Sequence, residues 1–166
     1  MRAIRFLFLD WHCNRHSGRI QFILFMYRVT SCLYLKGRVV RIFAFPLFVF
    51  YRVLVEWFFG CELPWKTRVN GPLTIYHAQG IVINPAAVIG AHCIIRHNTT
   101  IGARLTSVDA PIIGDHVDIG CGSTVLGAIS IGSHAKIGAG SVVVHDVKTC
   151  FVVAGNPARP IRSEAA

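Results

Sequence analysis

Histidine is the side chain in this sequence best suited to proton transfer near neutral pH. An imidazole can take a proton from a hydroxyl group as a general base, and a carboxylate behind it fixes the tautomer and stabilises the charged ring. The chain has eight histidines, which are His12, His16, His77, His92, His97, His116, His134 and His145. The sequence therefore offers several candidates for general base catalysis on a hydroxyl group.

The cysteines and histidines do not form a metal-binding pattern. The six cysteines are Cys13, Cys32, Cys61, Cys93, Cys121 and Cys150, and none belongs to a CxxC pair. Single cysteines of this kind are typical of reduced thiols in a cytoplasmic protein. His92 and His97 are five residues apart, which matches no known ligand spacing. We therefore expect no metal, and neither a P-loop nor a GxGxxG motif is present.

Composition places the chain among folded proteins. It has 166 residues, of which 53% are hydrophobic and 15% charged, about the size of one domain. Residues 1–60 carry nine Lys and Arg against Asp10 and Glu56, a net charge of +7, whereas residues 61–166 carry only +2. A basic module this rich in aromatic and aliphatic residues favours an anionic membrane surface over nucleic acid, whose binding face would be more polar.

The basic module, residues 1–60, is predicted to be helical. Its apolar runs, 20–35 and 39–59, are interrupted by charged residues and a proline, and the longest clean stretch, 42–51, is too short to span a bilayer. No small-residue cleavage site follows an apolar region, which argues against secretion. We expect two helices that either lie on a membrane or form an oligomerisation contact with sister subunits.

Residues 61–166 form a second region, in which an aliphatic residue recurs every six positions. The positions are Ile83, Ile89, Ile95, Ile101, Ser107, Ile113, Ile119, Val125, Ile131, Ile137 and Val143, so only Ser107 departs from Ile or Val. Upstream, Val69, Ile75 and Ile81 keep the step in a register offset by two. Such a period predicts a short strand and a turn per hexapeptide, stacked as a solenoid, with a loop leaving the wall at 103–111.

Three motifs give residues 61–162 a resemblance to the hexapeptide-repeat acyltransferases. They are HAQGIVI at 77–83, KIGAGSVV at 136–143 and AGNPAR at 154–159. The nearest resemblance is to the serine acetyltransferase group, and YRVLVEWFFG at 51–60 resembles its colanic acid (exopolysaccharide) branch. The resemblance implies a mainly β protein, a left-handed parallel β-helix behind the helical module. It also implies a homotrimer that binds acetyl-CoA between subunits.

The resemblance also assigns catalytic and acceptor residues. His77 matches the family's catalytic histidine, and Glu62 stands fifteen positions earlier, where the family has an acidic residue, usually Asp. Ala110 takes the place of a second active-site histidine, and Asp109 replaces the basic residue before it. An aspartate there disfavours the carboxylate of free serine and favours a neutral sugar hydroxyl. His97 replaces a polar glutamine and is expected to line the acceptor pocket.

For acetyl-CoA the resemblance indicates a groove of small residues along the β-helix. Gly120, Cys121, Gly138 and Ala139 match it, with Lys136 beside them, and Arg159 could pair with the cofactor's phosphates. Cys121 is interpreted as a small filler rather than a nucleophile.

The sequence thus predicts an acetyl-CoA-dependent O-acetyltransferase, cytoplasmic and peripheral at the inner face of the cell membrane. Its predicted acceptor is a sugar hydroxyl of an exopolysaccharide or of its lipid-linked precursor. The alternatives are a serine O-acetyltransferase and a non-catalytic β-helix scaffold.

Overall fold

A computed structural model describes residues 2–106 and 108–163 of the chain. The gap in the six-residue repeat, Ser107, lies outside the described residues, as do the last three residues of the predicted second region. The described chain has a helical N-terminal part followed by a parallel β-helix of about five turns, which confirms the predicted fold class.

The helical part contains more elements than the two apolar runs suggested. Its helices are α1 (Arg2–Leu7), α2 (Gly18–Leu35), α3 (Arg38–Phe43), α4 (Phe45–Tyr51) and a π-helix (Arg52–Phe58). Ser17 caps α2 by accepting a hydrogen bond from the Ile20 N–H. The second predicted helix is divided because Pro46 lies in the first turn of α4, where its missing N–H is tolerated, and α3 ends just before it.

The strands of the β-helix form three flat faces. The first face contains β1 (Cys61–Glu62), β4 (Ile81–Ile83), β7 (Thr100–Gly102), β10 (Thr124–Leu126) and β13 (Val142–Val143). The second face contains β2 (Arg68–Val69), β5 (Val88–Ile89), β8 (Ile112–Ile113) and β11 (Ser130–Ile131). The third face contains β3 (Leu73–Tyr76), β6 (Cys93–Arg96), β9 (Asp118–Ile119), β12 (Lys136–Ile137), β14 (Phe151–Gly155) and β15 (Ala158–Ser163). We call the bends between the first and second, second and third, and third and first faces corners 1, 2 and 3.

The strand register shows how each turn accommodates the repeat. Ile83 pairs with Ile101, eighteen residues on, which is three hexapeptides per turn. Ile101 pairs with Val125, twenty-four residues on, because the loop at corner 1 adds six residues and leaves the register intact. Cys61 pairs with Ile81, twenty residues on, so the first turn holds two extra residues and accounts for the offset upstream of Ile83.

The repeat positions build the core of the β-helix. The ten Ile and Val residues that recur every six positions from Ile83 to Val143 are all at most 3% exposed. Val69, Ile75 and Ile81 are buried as well. No single turn could bury its aliphatic side chains alone, so the stacked turns share one continuous core.

Polar side chains of the helical part cover the free edge of strand β3. Asp10 accepts a hydrogen bond from the Leu73 N–H at 2.7 Å, and Asn14 bonds both the Leu73 carbonyl and the Ile75 N–H. Arg28 is fully buried and joins Asp10 through two hydrogen bonds of 2.8 and 3.0 Å. These side chains therefore pair with backbone groups of β3 that would otherwise be left free at the edge of the solenoid.

A hairpin follows the last turns of the third face. Strand β14 pairs with β12 in parallel, and β15 returns antiparallel to β14 with a shift in register near Val152. The AGNPAR motif forms the tip of this hairpin, where the Asn156–Pro157 peptide bond is cis. The hairpin thereby brings Arg159 alongside Ala154 on the third face.

Candidate active site

Corner 3 brings together six of the residues predicted for catalysis, acceptor binding and cofactor binding. They are His77, His97, Gly120, Cys121, Gly138 and Ala139, and they lie in four consecutive turns. Backbone hydrogen bonds stack the turns: Gly122 N–H donates to the His97 carbonyl at 3.0 Å, and Gly140 N–H donates to the Cys121 carbonyl at 2.9 Å. The corner is therefore one continuous ridge that begins at the two histidines.

His77 stands at the end of β3, where the chain turns from the third to the first face. Its backbone is in the left-handed region at φ 58°, which is uncommon for a residue with a side chain. Its ring is exposed and meets the ring of His97 edge-on, with 5.8 Å between centroids. His77 is thus open to a substrate on one side and held by His97 on the other.

His97 is half-buried, and its Nδ1 atom is fully buried. Among the described residues, this is the one buried side-chain nitrogen or oxygen with no hydrogen-bond partner. Leaving such an atom unpaired costs on the order of 1–3 kcal/mol.

Glu62 lies on β1, close to the same corner. The Gly80 N–H donates to the Gly60 carbonyl at 2.8 Å, which places the segment after His77 against the segment before Glu62. In the part of the chain that the structure describes, no ion pair joins Glu62 to His77. The predicted support of the histidine by Glu62 therefore stays a prediction.

Glu62 lines a cleft that the sequence did not reveal. The cleft measures about 430 Å³ and lies between the π-helix and the first face, where Arg52, Glu56 and Trp57 line it together with Val82. Arg52 donates to the Glu56 carboxylate at 2.9 Å, one helical turn away. The available sequence signal was the resemblance of residues 51–60 to the exopolysaccharide branch, which gave no role for these side chains.

The small residues of corner 3 are required by close backbone contacts. A methyl group added at Gly120 would lie 2.4 Å from the Ala139 nitrogen, and one added at Gly138 would lie 2.7 Å from Ala154 Cβ. A Cβ atom essentially never lies this close to a non-bonded heavy atom, so both positions require glycine. The glycines thus let successive turns pack closely along corner 3, where the side chains of Cys121 and Ala139 are also small.

Lys136 and Arg159 lie on the third face beside this ridge. Lys136 is exposed on β12, two residues before Gly138. Arg159 pairs in register with Ala154, the residue that packs over Gly138. Both cations therefore lie beside the end of corner 3 that contains Gly138 and Ala139.

Asp109 and Ala110 lie elsewhere, at corner 1. They belong to the loop between β7 and β8, where the Asp109 carboxylate accepts from the Thr106 N–H at 3.1 Å and Ala110 is buried. The first face separates this loop from His77 and His97 within the chain. The structure thus does not bring the two predicted acceptor residues together with the histidines of the same chain.

Three other histidines form a stacked column on corner 2. His92 stacks on His116 with 4.9 Å between ring centroids, and His116 stacks on His134 at 4.8 Å. All three rings are exposed and all three residues have positive φ. The period of the repeat did not predict this stacking.

His16 lies beside the free edge of strand β3. Its ring stacks on Tyr76 at 4.7 Å, and its Nε2 is 3.0 Å from the Ile75 carbonyl. His16 thus extends the polar cover of strand β3 towards the residue that precedes His77.

The buried thiols are chemically quiet. Burial raises the pKa of the Cys61 thiol to about 12 and that of Cys93 to about 11, so both stay protonated at neutral pH. In residues 2–106 and 108–163, no group of three His, Cys, Asp or Glu side chains could hold a metal ion. Nor does any helix of that part of the chain combine the length and the apolar character needed to cross a bilayer.

Comparison with known proteins places this chain among acetyltransferases. The chain is 36% identical over 113 residues to an Escherichia coli K12 protein named colanic acid biosynthesis acetyltransferase WcaB, covering 66% of this chain and 70% of that protein. It is 37% identical over 138 residues to serine acetyltransferase 2 of Arabidopsis thaliana, covering 82% of this chain but 41% of the longer plant protein.

The same comparison extends to solved structures. The crystal structure of Neisseria gonorrhoeae serine acetyltransferase superposes with a TM-score of 0.82 and 30% identity, over 99% of this chain and 67% of that one. No family model matches the chain.

Proposed function

Because the chain belongs to the hexapeptide-repeat acetyltransferases, we propose that it transfers an acetyl group from acetyl-CoA to a sugar hydroxyl of an exopolysaccharide or of its lipid-linked precursor. The single observation that carries the proposal is the arrangement of corner 3, where an exposed histidine heads a ridge of small residues. The similarity to WcaB supports a saccharide acceptor.

His77 acts as the general base in this proposal. Its exposed imidazole takes the proton of the acceptor hydroxyl while the hydroxyl oxygen attacks the thioester carbonyl, and the CoA thiolate leaves and is then protonated. No acyl-enzyme is needed, because the two substrates meet at one corner. Glu62 is the positioning residue for His77, and the turn that holds both residues near Gly60 and Gly80 supports this role.

Acetyl-CoA binds along the corner 3 ridge in this proposal. Because Gly120 and Gly138 carry no side chain and those of Cys121 and Ala139 are small, the pantetheine arm approaches the backbone of corner 3 closely. Lys136 and Arg159 border one end of that corner, where cations would meet the phosphates of the nucleotide. Small side chains of this kind suit a ligand that is bound mainly through amide hydrogen bonds.

The acceptor site is proposed to form between subunits of a homotrimer. Asp109 and Ala110 lie at corner 1, on the other side of the first face from His77, so one chain alone cannot supply both sets. A neighbouring copy that places its corner 1 against corner 3 would complete the site. His97, whose ring meets the ring of His77, then faces the acceptor.

A free serine acceptor is the second candidate. The serine acetyltransferases among the relatives favour it. Against it, Ala110 provides no imidazole, and Asp109 would repel the carboxylate of serine if it entered the site.

For a lipid-linked saccharide acceptor, we propose that the enzyme acts in the cytoplasm at the inner face of the cell membrane, where such an acceptor would meet acetyl-CoA.

The test measures CoA release from acetyl-CoA with L-serine and with saccharide acceptors in parallel reactions. Saccharide-dependent release is expected, and His77→Asn should abolish it. His92→Asn is the matched control, because His92 has the same left-handed backbone and exposure but lies on corner 2. CoA release that depends on L-serine would overturn the choice of acceptor. If neither acceptor gives CoA release, the result would favour a non-catalytic scaffold.

A further inference from the structure

The helices α3, α4 and the π-helix expose an unusually apolar surface. Helix α3 buries none of its six residues, although four of them are apolar. The side chains of Phe43, Trp57 and Phe58 are 83%, 77% and 76% exposed. A helix on the surface of a soluble protein normally turns its apolar stripe towards the core, so side chains of this size left in water indicate an interaction surface.

Cations surround these apolar side chains. The segment from 35 to 58 contains Lys36, Arg38, Arg41 and Arg52, and all four are exposed. Its one acidic residue, Glu56, is already paired with Arg52. We call the exposed side chains of residues 35–58, together with the exposed Lys66, the basic apolar surface.

Two adjoining clefts make the basic apolar surface continuous. Arg38, Arg41, Ile42 and Phe45 line one cleft. The other, of about 420 Å³, again includes Arg41 and Phe45 and adds Arg52 and Lys66 above an aromatic floor. Three cations over an aromatic and aliphatic floor suit an anion that carries an apolar tail, which is the chemistry of a phospholipid at its headgroup.

We propose that the basic apolar surface docks on an anionic phospholipid bilayer. The aromatic and aliphatic side chains enter the boundary between headgroups and acyl chains, and Arg41, Arg52 and Lys66 contact lipid phosphates. Helices of six and seven residues fit an orientation in the plane of the interface. A second copy related by a two-fold axis is a poorer occupant, because the contact would bring two surfaces of the same positive charge together, and the mass measurement below tests the contacts of a trimer.

The inference rests on the proposed function, since it gives the enzyme a place beside a lipid-linked acceptor. Arg52 and Trp57 belong both to the basic apolar surface and to the cleft that contains Glu62. A bilayer bound at this surface would therefore lie next to the cleft beside corner 3. A saccharide held in the membrane by its lipid would need to reach only across that cleft.

Vesicle sedimentation of the full chain tests the proposal. Vesicles of phosphatidylcholine with phosphatidylglycerol should bind the protein about tenfold or more tightly than phosphatidylcholine alone, because each cation near the surface contributes about 1 kcal/mol. Phe43→Ser and Arg41→Gln should each weaken binding. The matched controls are Leu105→Ser, which removes a side chain that is 86% exposed on the corner 1 loop, and Arg104→Gln, which removes an exposed cation there.

The outcomes separate this inference from the proposed function. Failure of the wild-type protein to bind anionic vesicles, or equal losses in the Leu105 and Arg104 controls, would overturn the lipid surface. A mass measurement in which Phe43→Ser dissociates an assembly, without any vesicle binding by the wild type, would assign the surface to a second copy instead. Acetylation of a soluble saccharide should be unchanged in Phe43→Ser, because the reaction does not need the bilayer. If the wild-type protein does not acetylate a soluble saccharide, that result counts against the proposed function, and vesicle binding is judged separately.

Discussion

At the scale of single residues, corner 3 depends on its glycines, which have no side chain, as much as on His77. Gly120 has an ordinary backbone conformation, so only the space around it requires glycine. The resemblance to the hexapeptide-repeat acyltransferases predicted these small residues. It missed Asp10, Asn14 and Arg28, which cover the edge of β3, because single polar residues from a region without a period give no sign of their partners.

Gly120→Ala tests the close packing of the ridge. The new methyl group would meet the Ala139 nitrogen, so we expect the free energy of unfolding to fall by about 1–3 kcal/mol, as in other overpacked sites. The KM for acetyl-CoA should rise because the Ala139 backbone is displaced. Urea unfolding and steady-state kinetics provide the readouts, with Gly18→Ala as the control because that site has open space. An unchanged stability would mean that the turns are free to spread.

Glu62→Gln tests the positioning role of the carboxylate. Loss of the charge should lower kcat by about 10²-fold or more, the scale of general base catalysis, while acetyl-CoA binding stays nearly intact. Glu62→Asp should retain activity, since the family usually has Asp at this position. The pH profile of kcat should change in Glu62→Gln and not in Glu62→Asp. Equal rates in wild type and Glu62→Gln would remove Glu62 from the mechanism.

At the scale of elements, the helical part acts as the cap of the β-helix. The sequence predicted helices near 20–35 and 39–59 but not that the second would break into α3, α4 and a π-helix. The break depends on Pro46 and on packing against α2 and strand β1, and neither effect has a period that could be detected. Nor did the interruption of an apolar run by Arg28 reveal that its charge is fully buried against Asp10.

Arg28→Met tests the cap. Removal of the guanidinium would leave Asp10 charged and buried, and the carbonyls of Val69 and Gly71 would each lose a donor. Breaking one side of a buried pair typically costs about 3–5 kcal/mol. Arg52→Met is the control, because the Arg52 side chain is 62% exposed, so solvent screens its pairing with Glu56 and its loss should cost less than the loss of Arg28. Similar unfolding free energies for the two variants, measured in urea at one protein concentration, would contradict the capping role.

At the scale of the whole molecule, the β-helix was predictable because every turn repeats one rule. An inward aliphatic residue every six positions fixes the core, and the register follows, including the added hexapeptide at corner 1. The composite site was less accessible to sequence reasoning. His77 and Asp109 are separated by the first face, so their relation depends on the arrangement of copies, which six-residue spacing does not determine.

The same buried core makes the stability of the molecule sensitive to alkaline pH. Cys61 and Cys93 have folded-state pKa values of about 12 and 11, above the value of 9.0 for a free thiol. The unfolded chain therefore loses these protons first, and the stability that is fully present below pH 9 falls as pH rises towards 11. Each proton contributes at most about 1.4 kcal/mol per pH unit. Urea unfolding between pH 8 and 11 should show this decline, and Cys61→Ala should make it shallower, because one of the raised thiols is gone. A slope that Cys61→Ala leaves unchanged would mean that the Cys61 thiol is not what links folding to pH in this range.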